Sequence, residues 1–64
     1  MFEIFEVYNQ DNERVFFTFN KQSVPSKKEI EILMNDGHKI KVNGKILYKK
    51  NIDEFLNKVK DKED

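Results

Sequence analysis

Apolar and polar positions alternate in four short stretches of this chain and follow a helical period in two others. Residues 2–8, FEIFEVY, and residues 14–20, RVFFTFN, are rich in aromatic and β-branched types and predict two strands. Between them Asn9-Gln10-Asp11-Asn12-Glu13 is a polar loop of hairpin length. Pairing Tyr8 with Arg14 sets Val7 opposite Val15, Phe5 opposite Phe17 and Glu3 opposite Phe19. That register gives a core face of Phe5, Val7, Val15, Phe17 and Phe19. The other face, Phe2, Ile4, Glu6, Tyr8, Arg14, Phe16 and Thr18, is mixed.

Residues 26–36 predict a helix. Ser26 and Glu29 have capping-box spacing, and Ile30, Leu33 and Met34 form the apolar stripe. Ser23 is a competing N-cap, which would place Pro25 in the first turn. Gly37 suits a left-handed cap at the helix end. Residues 38–42 and 45–49 flank Asn43-Gly44, the strongest short hairpin signal, because a type I′ turn needs positive φ twice. Pairing Val42 with Lys45 sets Ile40 opposite Leu47 on one face. Lys41 with Ile46, and Lys39 with Tyr48, fall on the other. Residues 52–62 predict a second helix with Asn51 as N-cap, Glu54 at its third position and a stripe of Ile52, Phe55, Leu56 and Val59.

The order is therefore ββαββα, an α+β fold. Two hairpins form one antiparallel four-stranded sheet. Both helices are expected on the face lined by Phe5, Phe17, Phe19, Ile40 and Leu47. The chain reads as one domain over 1–64, with 60–64 a charged tail expected to fray. At 64 residues it is marginal without staples, and it has no cysteine. Six phenylalanines are one route to a sufficient core, and self-association is another.

Twelve basic and twelve acidic residues give zero formal charge, which argues against a general nucleic-acid coat. The distribution is uneven. Residues 1–13 hold Glu3, Glu6, Asp11 and Glu13 without a base, and residues 38–50 hold Lys39, Lys41, Lys45, Lys49 and Lys50 without an acid. Apolar runs such as Ile32-Leu33-Met34 are too short for a transmembrane helix or a signal-peptide core. The cysteine-free composition suits a reducing compartment, so a cytoplasmic location is expected. Frequent Lys, Asn, Ile and Phe, with no Ala, suggest an AT-rich coding sequence. In composition alone the chain resembles small accessory proteins of bacteria and phages.

Four features are candidate sites. The sheet face away from the helices would present Phe2, Ile4, Tyr8 and Phe16 as anchors for a protein partner or a second copy of the chain. With Arg14, Lys39, Lys41 and Tyr48, Phe16 would alternatively make a single-stranded nucleic-acid platform, rings on bases and cations on phosphates. Glu6 in the middle of that face weighs against nucleic acid and against full burial alike. The lysines of HKIKVNGKILYKK could track phosphates, but lysine is also a common guard of sheet edges, and no arginine is present for bidentate recognition. His38, the sole histidine, has Asp36 two residues away but no second His or Cys to complete a metal or catalytic set. The loop oxygens of Gln10, Asp11, Asn12 and Glu13 lack the spacing of a calcium loop. The element order differs from the βαββαβ pattern of RNA-recognition domains. The expectation is a non-catalytic binding module of regulator, adaptor or inhibitor type, without cofactor, metal or membrane contact.

Overall fold

The computed structural model describes residues 2–60. Strands β1 (Phe5–Tyr8), β2 (Arg14–Thr18), β3 (Lys39–Val42) and β4 (Lys45–Ile46) form one sheet in the order β2-β1-β3-β4, every pair antiparallel. Helices α1 (Lys27–Asn35) and α2 (Ile52–Lys60) both pack on one face of it. The core between the layers is Phe5, Val7, Ile40 and Leu47 from the sheet, Ile30 from α1, and Ile52, Phe55, Leu56 and Val59 from α2, with Val24 from the connection. The expected ββαββα architecture is therefore the observed one. The helix that begins at Ile52 is described only to Lys60, so its expected extension to 62 and the fraying of the tail beyond Lys60 lie outside the described residues.

Local chemistry explains most of the element boundaries. Ser26 accepts a hydrogen bond from the Glu29 N–H, and the Glu29 side chain accepts one from the Ser26 N–H, so both partners of the capping box are present. Ser23 does not cap α1; it lies in a 3-10 turn, Lys21–Ser23. Gly37 ends α1 at φ 90°, with its N–H donating to the Met34 carbonyl. In the second hairpin Asn43 (φ 54°) and Gly44 (φ 83°) supply the two positive φ values of a type I′ turn. The Asn43 Oδ1 also accepts from the Glu3 and Ile4 N–H groups, at 2.7 and 3.1 Å, which ties the chain's start to the far hairpin. Asn51 sits inside a 3-10 turn, Lys49–Asn51, through which the chain enters α2, instead of at an extended cap position.

The first hairpin departs from the expected register. Phe5 pairs with Thr18, Glu6 with Phe17 and Val7 with Phe16, and only Tyr8 with Arg14 is as expected. The ladder breaks between Val7 and Tyr8, where Val15 is the extra residue of a β-bulge. The helix-side face of β2 is therefore Phe16 and Thr18, and Phe17 turns to the opposite side, while Phe19, just past the strand, lines a cavity with Phe2, Phe55 and Val59. Val15, Phe17 and Phe19, expected in the core, are 53%, 46% and 69% exposed. The reason is reach. The nine-residue α1 packs over β3 and α2, so β2 at the edge is covered by neither helix, and no residue of it is buried. Burial then cannot fix its register. The turn does so: the Asn9 Oδ1 accepts from the Asp11 and Glu13 N–H groups at 2.8 and 2.9 Å, and Asn12 takes φ 65°.

Candidate binding surface

The sheet face away from the helices is uncovered, and a charged group lies at its centre. The Glu6 carboxylate, only 9% exposed as a residue, accepts from Arg14 Nη1 at 2.9 Å and from the Tyr8 hydroxyl at 3.0 Å. Burial raises a carboxyl pKa, but the Arg14 hydrogen bond outweighs it. With the Tyr8 hydrogen bond and the charges of Arg14 and Lys41, it holds Glu6 below the ordinary carboxylate range. The same contact raises the Tyr8 hydroxyl above its ordinary value. Arg14 also lies 4.3 Å over the Phe17 ring, and Lys41 lies 5.0 Å over the Tyr8 ring. Paired with Arg14 and Tyr8, Glu6 is itself the most buried charged residue described, on a face that no helix covers.

Of the expected anchors, Tyr8 is on this open face and half-buried. Ile4 is half-buried, with its carbonyl accepting from the Asn43 N–H. Phe2 and Phe16 are not on the open face. Phe2 packs toward α2, its ring 6.5 Å from that of Phe55. Phe16 lies on the helix side of β2, edge-on to Phe5 at 6.3 Å. Among the residues expected for nucleic acid, Arg14 and Lys41 meet around Glu6 and Tyr8, and Lys39 reaches Asn12 Oδ1 at 3.2 Å. Tyr48 is 60% exposed just beyond β4, separated from Arg14 by the width of the sheet.

What gathers in one place is an apolar margin along β2. Phe17, on the open side, touches Phe19 edge-on at 5.7 Å beyond the end of the strand. On the helix side Val15 and Phe16 face Pro25, Ile32 and Leu33 across a shallow groove floored by Val7. Phe16 is 40% and Ile32 50% exposed. Ile32 lies off the helical stripe of Ile30, Leu33 and Met34, and that was a legible sign of its exposure. Phe17 and Phe19 carried no such sign, because Val15, Phe17 and Phe19 are the apolar parity of RVFFTF and alternation alone assigns them to the core.

The remaining candidates are placed as follows. The Asn9 and Glu13 side-chain oxygens are engaged within their own loop, Glu13 Oε1 accepting from Asn9 Nδ2 at 3.0 Å. Among the described residues no group of three or more His, Cys, Asp and Glu could hold a metal ion. His38 is half-buried, with Nδ1 lacking a hydrogen-bond partner among the described residues. No described helix is long and apolar enough to cross a membrane. No family model, curated protein or solved structure matches this chain.

Proposed function

We propose that the protein is a non-catalytic binding module that engages another polypeptide along the β2 edge of its sheet. One observation carries the reading: Val15, Phe16, Phe17, Phe19 and Ile32 are all at least 40% exposed and flank a strand that, among the described residues, has no neighbour on its outer side. Contiguous apolar patches of this kind mark interaction sites in folded proteins. An unpaired strand adds main-chain hydrogen bonds as a means of recognition, with side chains on both faces setting specificity. The corrected register moves the binding surface from Phe2, Ile4, Tyr8 and Phe16 to the residues around β2, of which only Phe16 is common to both. A cytoplasmic location belongs to the same reading.

Single-stranded nucleic acid is the less favoured ligand. A phosphate-binding platform needs unneutralised cations beside its rings. Here Arg14 is spent on Glu6, whose carboxylate stands where a phosphate would approach, which leaves Lys41, over the Tyr8 ring, as the cation of that cluster to meet one.

Selection from a displayed random-peptide library, followed by chemical-shift mapping, tests the reading. We expect extended apolar peptides whose shifts centre on Val15–Phe19. Phe16→Asp should abolish their binding while leaving the far-UV circular dichroism unchanged. Failure to select a binder, or shifts centred elsewhere, would refute it. A salt-sensitive oligonucleotide complex mapping to Tyr8, Arg14 and Lys41 would establish the other ligand class.

A further inference from the structure

We infer that the occupant of the β2 edge is a second copy of this chain, its β2 paired antiparallel with the first about a two-fold axis at Phe17. This deepens, and rests on, the reading of β2 as the binding edge.

Alternate residues of a strand direct their backbone groups to opposite neighbours. The Ile4 carbonyl accepts from Asn43 N–H, so the even-numbered residues of β1 bond the β3 side. Phe5 and Val7 therefore bond Thr18 and Phe16, their partners in β2. The N–H and C=O of Phe17 are left pointing outward. A two-fold axis there sets Phe17 against its own copy and Phe16 against Thr18 of the second chain. The bulge at Val15 falls outside this three-residue ladder.

The contact is self-complementary. β2 carries one charge, Arg14, which its own Glu6 already pairs, so the paired strands themselves bring no unpaired like charges together; Glu29, whose side chain caps α1, lines the groove beside them. The chain's formal charge is zero, so two copies approach without net repulsion. On the helix side, the groove beside β2 brings the exposed Ile32 of each α1 toward the seam. The five exposed side chains around β2 present on the order of 500 Å² per copy, so their full burial would cover about 1,000 Å² for a pair, the lower threshold for a specific interface and in keeping with a weak to moderate dimer.

The opposite edge explains why the assembly closes at two. β4 is two residues long and displays Lys45, the features by which natural edges refuse pairing. One receptive edge and one guarded edge give an eight-stranded sheet across a dimer, not a filament.

Sedimentation equilibrium from about 1 μM to about 1 mM, the range of weak to moderate association, reads the state directly. We expect twice the chain mass at the upper end. Phe17→Lys, which sets two ammonium groups opposite each other, should weaken association at least about tenfold. A fold-independent check uses the absence of cysteine. Phe17→Cys should oxidise rapidly to a disulfide-linked dimer, because paired Cα atoms about 5.5 Å apart suit that bond. Ile46→Cys, near the guarded edge, should not. A monomer throughout the concentration range, or equal oxidation of the two variants, overturns the proposal. A monomer that still takes an extended peptide on β2 loses the dimer alone, whereas one that takes none removes the binding-edge reading as well.

Discussion

Deleting Val15 is the sharpest test of how the first hairpin is built. The pairs Val7 with Phe16 and Tyr8 with Arg14 flank the bulge, and Val15 is the residue without a partner between them. Without it, Arg14 and Phe16 become adjacent and the ladder runs unbroken through the same pairs. Arg14 and Phe17 stay on the open face, and Phe16 and Thr18 stay on the helix side. The energetic cost is small. Full burial of a valine stabilises by about 1.5–3 kcal/mol, and Val15 is 53% exposed, so its loss removes about 1 kcal/mol. Repair of the ladder offsets part of that.

A regular register gives a different result. There Val15 would face Val7 in the core, and its deletion would turn one side of the strand to the wrong face. Misplacing a core phenylalanine costs about 3–5 kcal/mol, against a total stability of about 3–10 kcal/mol for a chain of this length. Urea denaturation followed by circular dichroism separates the two cases, together with cross-strand nuclear Overhauser contacts between Glu6 and Phe17. A deletion variant destabilised by more than about 3 kcal/mol, or one that loses the Glu6–Phe17 contacts, refutes the bulge.

Three further perturbations have defined outcomes. Ser26→Ala removes half of the capping box and should cost about 1 kcal/mol in urea denaturation. Gly37→Ala forces an alanine to φ 90°, at about 1–2 kcal/mol, and its Cβ would overlap Gln10 Nε2, displacing the Gln10 hydrogen bond to the Asp36 carbonyl. In a Gln10→Ala background the same substitution should cost less, and additivity in that cycle would disprove the clash. Glu6 has a folded-state pKa below its unfolded one, chiefly through Arg14, so its contribution is complete above the unfolded value near 4.5 and is lost as pH falls through the lower folded value. Arg14→Gln should raise the Glu6 midpoint in a carbon-13 carboxyl titration and move acid unfolding to higher pH.

The parts of the fold legible in the sequence are those set by neighbours along the chain. Ser26 and Glu29 announce their reciprocal hydrogen bonds three residues apart, and Asn43-Gly44 announces a turn that few other dipeptides accept. The stripes of α1 and α2 follow because each helix has one buried side. β2 has none. The apolar parity of RVFFTF is Val15, Phe17 and Phe19, which points to the wrong phenylalanines, and a bulge leaves no compositional mark that would correct it. The Asn43 contact to Glu3 and Ile4 spans about forty positions and was equally invisible. Glu6 and Arg14 were the readable clue to the open face, since both registers place them together. Their contact was not foreseen as the means by which a carboxylate is buried there.

That buried pair also bears on what the protein can bind. A free Glu6 would repel phosphates, and a free Arg14 would attract them. Joined at 2.9 Å, with the guanidinium over Phe17, they cancel each other's charge at the centre of the open face and leave Lys41, over Tyr8, as the cation beside them. With that pair neutralised, discrimination rests mainly on shape and backbone pairing. Only β2 offers both, because Phe17 has its ring on one side and its N–H and C=O at the rim. The bulge makes this possible. By inserting one residue it sets Arg14 and Phe17 on the same face, so that one guanidinium neutralises the carboxylate and supports the ring. In a regular ladder Arg14 would share its face with Phe16, and Phe17 would stand on the other side of the sheet from the cation that now covers it.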